Sequence, residues 1–258
     1  MLKVLVNGAF GRMGTEVCKK IASEEGLELV GGVDIKSGTL TPAAGVTVEV
    51  TTDVVAAIAA LKPDVLVDFT RPNVVMGTLR KVLPLGVHCV VGTTGFKAAD
   101  LEEVDALAKA NGTGLLIAPN FALGAVVMMK LCCEAAKYFS QVEIIEKHHD
   151  QKLDAPSGTA LITAQKIAEV RKAMKQGHPE ERETMPGVRG GDYEGMRIHS
   201  LRLPGYVASQ EVIFGGQGET LKIISDPVNR ECYMPGVALA CRKICSYTGL
   251  VYGLDKIL

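Results

Sequence analysis

KVLVNGAFGRMG, residues 3 to 14, is the stretch from which the rest of the chain is read. Lys3 to Asn7 is a short apolar run with the composition of a strand buried on both faces, and Gly8-Ala9-Phe10-Gly11-Arg12-Met13-Gly14 follows it at once and opens a segment of helical period. Strand, glycine turn and helix in that order form the context in which a glycine fingerprint binds a dinucleotide. The spacing is G-x-x-G-x-x-G and not the commoner G-x-G-x-x-G. Its physical roles survive the change: Gly8 permits the tight turn, Gly11 lets backbone approach a pyrophosphate, and Gly14 lets the helix pack closely on the sheet.

Downstream, Leu27 to Asp34, Asp64 to Thr70, His88 to Gly92 and Gly114 to Ala118 repeat the pattern of short Val/Leu/Ile-rich runs. Between them, Arg12 to Glu25, Asn73 to Leu83 and Ala98 to Ala110 have helical period and length. Parallel strands covered by helices on both faces read this way, so a Rossmann-type, doubly wound α/β half is expected. Asp34, at the end of the second strand and about 20 residues past Gly14, is placed to take the adenosine ribose hydroxyls, which favours NAD. Lys36, two residues on, is a cation able to meet a 2′-phosphate, so NADH and NADPH both remain open. Ligands in such sheets bind beyond the carboxyl ends of strands, which adds Gly92, Thr93 and Thr94, and Ala118, Pro119, Asn120 and Phe121, as candidates for lining the nicotinamide end. Taken singly, each is an ordinary turn residue.

After Asn120 the character shifts. Leu123 to Phe139 reads as a helix, Val142 to Lys147 as a strand and Ser157 to Lys172 as a helix. Residues 174 to 194 form an aperiodic polar connection, expected to be exposed and mobile. Three strand-like runs follow, Arg197 to Leu203, Ala208 to Phe214 and Thr220 to Ser225, with alternating polarity in places, as in a sheet with one face covered. Tyr233 to Tyr247 supplies an amphipathic helix near the chain end. The expected organisation is a dinucleotide-binding domain of residues 1–121 and 230–258, and a mixed α/β substrate-binding and oligomerisation domain of residues 122–229.

Composition narrows the partners. Lys+Arg of 28 against Asp+Glu of 29 leaves no basic excess for phosphate backbones, and the absence of Trp gives little for base stacking, so a nucleic-acid partner is not expected. No apolar run is long enough to span a bilayer and the start lacks a cleavable signal pattern, so a cytoplasmic protein with a small-molecule partner is expected. Seven cysteines at irregular spacing, without C-x-x-C, argue against a disulfide framework or zinc ribbon. Cys132, Cys133, Cys241 and Cys245 read as small buried hydrophobes.

EKHHDQKLDAPSGTA, residues 146 to 160, concentrates the ionisable chemistry. His148 and His149 follow a strand, Lys152 lies four residues after His148, and Ser157-Gly158-Thr159 begins a helix behind Pro156. The backbone N–H groups of Gly158 and Thr159 then make an anion site, with His149 and Lys152 adding positive charge nearby. An imidazole suits proton transfer at neutral pH. Adjacent histidines are poor ligands for one ion and H-E-x-x-H is absent, so no metal is expected. Ser157 lacks the G-x-S-x-G elbow of a hydrolase nucleophile. A semialdehyde dehydrogenase would need a nucleophilic cysteine, and near the strand ends there is only Cys89, inside a strand. A catalytically silent nucleotide sensor is the remaining alternative.

GAFGRMG at 8–14, DFT at 68–70, GTTGF at 92–96, APNF at 118–121 and EKHHDQKLDAPSGTA together resemble the dihydrodipicolinate reductase family over essentially the whole chain. Lys147 ahead of the histidine pair is a local departure. The resemblance implies hydride transfer from NADH or NADPH to C4 of a conjugated cyclic imine dicarboxylate, on the route to diaminopimelate and lysine. It further implies His148 as proton donor or acceptor, Lys152 as a second donor, His149, Lys152, Ser157, Gly158 and Thr159 as the substrate-binding residues, and a homotetramer.

Overall fold

In the computed structural model, which describes residues 1–258, β1 (Leu2–Asn7) lies inside an eight-stranded sheet with Val4, Leu5 and Val6 at 0% exposure. A strand covered on both faces must be apolar at every position, which is why its sequence does not alternate. Helix α1 (Arg12–Ser23) follows, burying Gly14, Val17, Cys18 and Ile21, the one-face spacing of an amphipathic helix. The chain continues through β2 (Leu27–Val33), β3 (Gly38–Ala43), β4 (Val46–Thr51), α2 (Val54–Leu61), β5 (Val65–Asp68), α3 (Pro72–Val82), β6 (His88–Val91), α4 (Ala98–Ala110) and β7 (Gly114–Ile117). It then enters a second compact unit, Leu123–Cys232, made of α5 (Leu123–Ala135), β8 (Gln141–His148), α6 (Gly158–Val170), β9 (Gly191–Tyr193), β10 (Met196–Arg202), β11 (Ala208–Gly216) and β12 (Glu219–Ser225). Residues Tyr233–Leu258 belong with Met1–Ala122 in the first unit and add α7 (Met234–Ile244) and β13 (Gly249–Tyr252).

The first sheet has the order β13-β7-β6-β5-β1-β2-β4-β3, parallel throughout except that β3 pairs antiparallel with β4. Ile58 of α2, Val75 and Leu79 of α3 and Val104 of α4 share one core cluster with Leu5, Leu66, Cys89 and Leu115 of the strands. Alternation along a strand turns Val4, Val6, Val65 and Val67 the opposite way, the side on which α1 packs with α7. Helices on both faces of a mostly parallel sheet make this half doubly wound. The strand order reverses at β1, so the carboxyl ends of β1, β2 and β5 surround a topological switch point, where open sheets of this kind bind ligands.

Four strands, β3, β4, β9 and β13, and one helix, α2, lie beyond the expected set. Gly38 and Pro42 interrupt β3, α2 is the uniformly apolar VVAAIAAL with no visible period, and β13 has only four residues. α2 starts where it does because the Asp53 carboxylate accepts from the backbone N–H groups of Val55 and Ala56.

The second unit carries a mixed sheet, β12-β11-β8-β10-β9, in which β8 pairs parallel with β10 and antiparallel with β11. Val142, Ile144 and Glu146 of β8, Met196 and Ile198 of β10 and Val212 and Phe214 of β11 form its buried face. Contacts of α5 with β11 and β12, and of α6 with β8, account for that burial. The connection before β9 is mostly exposed but is tied down: Arg189 pairs with Glu143 on β8 and with Glu181, each at 2.6 Å. Two of the four cysteines read as buried are buried, Cys132 and Cys241. Cys133 adjoins Cys132, so the two point about 100° apart on the helix and cannot share a face, while Cys245 lies past the last helical residue and is exposed.

Candidate active site

The glycine turn is built at backbone level. Gly8 has a φ of +84°, and a Cβ there would stand 2.7 Å from the Phe69 carbonyl oxygen; a Cβ on Gly14 would stand 1.9 Å from the Gly8 carbonyl oxygen. Neither position admits a side chain, and Gly11, the N-cap of α1, offers none to cap the helix. Gly11 and Arg12 are exposed. The start of α1 therefore presents uncovered backbone donors at the switch point, which fits an anionic pyrophosphate. Asp34 stands beside it, its carboxylate accepting from the Phe10 N–H at 2.8 Å and the Ile35 N–H at 2.7 Å. Lys36 Nζ lies 5.5 Å from the centroid of the Phe10 ring. A carboxylate and a cation thus border the same turn. Gly8 to Met13, Asp34 and Lys36 fit a dinucleotide.

Asp68, at the end of β5, ties the neighbouring loops to this turn. It is 0% exposed and accepts from Asn7 Nδ2 (2.7 Å), Thr70 Oγ1 (2.8 Å), the Thr70 N–H (3.1 Å) and Thr93 Oγ1 (2.9 Å). Its bonds fasten the ends of β1, β5 and β6 together. Thr93 is consequently buried with its hydroxyl occupied, and Ala9, Ala118 and Phe121 are buried as well, Phe121 with its ring 5.7 Å from that of Phe69. Those four residues meet a ligand through backbone if they meet one. Gly92, Thr94, Pro119 and Asn120 reach the surface at the same strand ends. Cys89 is wholly buried within β6, and burial, with Asp68 adding to it, pushes its thiol far above the ordinary range, so it is no nucleophile.

In the second unit, His148 is the last residue of β8 and Ser157 caps α6, its hydroxyl accepting from the Ala160 N–H at 3.2 Å. Gly158 is exposed, with open space around its Cα, as a helix tip offered to an anion requires. His149 is exposed, and Lys152 Nζ donates to Asp154 at 2.7 Å. Between the histidine and the helix tip stands a residue the sequence reading passed over. Glu146, 0% exposed, lies 2.5 Å from His148 Nδ1, receives both terminal nitrogens of Arg202 (2.9 and 2.7 Å), and accepts from the Ser157 N–H at 3.2 Å. Burial alone would raise its pKa, but hydrogen bonds from His148, Arg202 and Ser200 outweigh burial and hold it down at about 2. One signal for Glu146 was available: on a strand it shares the face of Val142 and Ile144, a carboxylate in apolar phase. Arg202 gave no such signal. No cluster of three or more His, Cys, Asp or Glu side chains is placed to hold a metal ion.

Residues 2–121 match the family profile described as dihydrodipicolinate reductase, N-terminus, and residues 124–258 the one described as dihydrodipicolinate reductase, C-terminus. The chain belongs to the dihydrodipicolinate reductase family. Its 4-hydroxy-tetrahydrodipicolinate reductase relatives in Lysinibacillus sphaericus and Geobacillus thermodenitrificans are 49% and 50% identical, each over 100% of this chain and 99% of their own length. Among solved structures, the dipicolinate-bound dihydrodipicolinate reductase of Paenisporosarcina sp. TG-14 matches with a TM-score of 0.92 at 45% identity, covering 100% of both chains. An amine dehydrogenase of Mycobacterium smegmatis, at 15% identity and a TM-score of 0.67, shares the fold. Family membership makes this chain an oxidoreductase of diaminopimelate and lysine biosynthesis with a nucleotide-binding N-terminal half. No helix is long and apolar enough to cross a membrane.

Proposed function

We propose that this chain reduces 4-hydroxy-tetrahydrodipicolinate, by way of dihydrodipicolinate, to tetrahydrodipicolinate, using NADH or NADPH. The observation that carries the reading is the junction of β8 and α6, where a histidine, a lysine and an open helix tip converge on one short stretch of chain. Reduction of a conjugated cyclic imine requires a hydride at C4 and a proton. Reduced nicotinamide, when bound, supplies the hydride. His148 gives or takes the proton, and Lys152 is a second donor; both meet the negative charge that builds as the ring is reduced. His149, Ser157, Gly158 and Thr159 hold the two substrate carboxylates, chiefly through the N–H groups at the start of α6. The first unit holds the dinucleotide through Gly8 to Met13, Asp34, Gly92 to Thr94 and Ala118 to Phe121, while Lys36 admits the 2′-phosphate of NADPH.

The reading includes a cytoplasmic homotetramer. Ile145, Ile213 and Ile224 lie on the sheet face of the second unit opposite the helices, interspersed with the Lys147–Glu211–Lys222 ion pairs at 3.3 and 3.5 Å. An apolar and charged patch of that kind suits self-association. The deciding assay follows the absorbance of NADH and of NADPH in separate reactions with freshly generated 4-hydroxy-tetrahydrodipicolinate. Substrate-dependent oxidation, inhibited competitively by pyridine-2,6-dicarboxylate, is expected; no oxidation of either cofactor defeats the proposal. Sedimentation of a monomer at micromolar concentration would remove the tetramer alone.

A further inference from the structure

We propose that Glu146, held by Arg202, is the positioning residue that selects the working nitrogen of His148 and sets that imidazole in register with the tip of α6. The inference rests on His148 being the proton-exchanging group. Its structural basis lies wholly in the second unit, in four hydrogen bonds from three residues converging on one carboxylate.

Three observations support it. Glu146 is ionised, hence acceptor-only, so the ring nitrogen 2.5 Å from its Oε2 must carry the hydrogen and donate it. That nitrogen is Nδ1, and the one left for substrate is Nε2. When Nε2 of the imidazolium gives up its proton, the ring is left neutral in the Nδ1–H tautomer and Glu146 stays ionised; reprotonation from solvent at Nε2 completes the cycle, with no net change at the carboxylate. Second, Oε1 of Glu146 accepts from the Ser157 N–H at 3.2 Å, so the residue that orients the histidine also anchors the cap of the helix proposed to grip substrate. Third, stability alone does not account for charged residues at this place. A buried ion pair gains little net free energy over apolar packing, and Arg202 keeps a buried Nε–H without a partner after binding Glu146 and the carbonyls of Leu201 and Asp154. A cluster that gains little over apolar packing of the same volume, yet brings β8, β10 and α6 to one point, is arranged for the chemistry.

The test combines histidine NMR with kinetics. Five histidines make ¹⁵N assignment tractable, with His148→Gln identifying the resonance. In the wild-type protein, the neutral imidazole of His148 is expected in the Nδ1–H tautomer. A dominant Nε2–H tautomer overturns the proposal whether or not any variant folds. In Glu146→Gln the amide turns its oxygen to Arg202 and its NH₂ to His148, so the tautomer is expected to switch and kcat to fall by roughly 10²- to 10⁴-fold, with KM changing much less. Glu146→Asp, which keeps the charge, should restore part of the rate and the wild-type tautomer. An unswitched tautomer in Glu146→Gln overturns the proposal even if activity is lost, because the residue would then be acting through the fold alone. Should the wild-type protein fail to reduce the substrate, the catalytic reading falls, while the tautomer measurement still decides the positioning.

Discussion

Replacing Gly14 by alanine separates the needs of the helix from those of the nucleotide site. Within a helix, alanine is favoured over glycine by about 1 kcal/mol. At Gly14 that gain meets backbone: the new Cβ would lie 1.9 Å from the Gly8 carbonyl oxygen, 2.7 Å from its carbon and 3.1 Å from Ala9 Cα. Relief requires the first turn of α1 and the Gly8 turn to part by about 1.1 Å, the shortfall from the 3.0 Å below which such contacts are essentially never seen. Overpacking that side chains can absorb typically costs about 1–3 kcal/mol; here the clashing atoms are backbone, so the loss of stability is at least that large. The parting falls on the two segments proposed to surround the pyrophosphate, and a misplacement of about 1 Å can lose ~100-fold. NADH affinity, measured by calorimetric titration below the lowered Tm of the variant, is therefore expected to drop roughly 10- to 100-fold, a loss of ~1.4–2.8 kcal/mol. Gly77→Ala is the control: it sits in α3 with nothing within 4 Å of a Cβ, and should raise stability by about 1 kcal/mol with NADH binding intact. Wild-type NADH affinity in a folded Gly14→Ala protein would refute the placement of the cofactor.

The other expectations concern the second unit. His148→Gln should lower kcat by about 10²-fold or more while leaving KM within a few-fold, whereas Lys152→Met should damage both, since Lys152 is assigned to substrate as well as to proton supply; unchanged kcat in the histidine variant would remove it from the chemistry. Glu146 also predicts a pH dependence of stability. Its carboxyl is lowered from 4.5 to about 2, so its contribution is complete above pH ~4.5 and is lost as the pH falls towards 2. Relative to its own protonated form, and not to apolar packing, the ionised carboxylate contributes on the order of 3 kcal/mol. Urea unfolding of wild type and Glu146→Gln should show a gap that narrows as the pH falls from about 4.5 towards 2, and a gap independent of pH would show that the carboxylate is not depressed in the native state.

The first half was legible because its strands are covered on both faces and its helices on one. Val4 to Val6 had to be apolar throughout, and Gly14, Val17, Cys18 and Ile21 had to recur at helical spacing, so period alone separated the two kinds of element. Where that contrast fails, the reading failed with it. The run VVAAIAAL of α2 is apolar at every position, and its helical state depends on the Asp53 cap and on packing against α3. β13 is a strand because Gly249 to Tyr252 pairs in parallel with Gly114 to Ile117, a partner more than a hundred residues away.

The same distinction runs through the candidate site. Residues whose role depends on local backbone, such as Gly8, Ser157 and Gly158, carry their signal in adjacent positions, because a turn or a helix cap is made by a few consecutive residues. Asp68 and Glu146 work differently. Each is a buried carboxylate whose partners come from separate strands: Asn7 and Thr93 for the one, Arg202 for the other. In sequence both look like polar residues near the end of an apolar run, where exposure is the ordinary outcome. A carboxylate can be kept there without water only if several donors reach it, so the fold has to deliver those donors from elsewhere. His148 gains its defined tautomer in this way, since the nitrogen it offers to substrate depends on Glu146, and the charge of Glu146 depends in turn on an arginine 56 residues further along the chain.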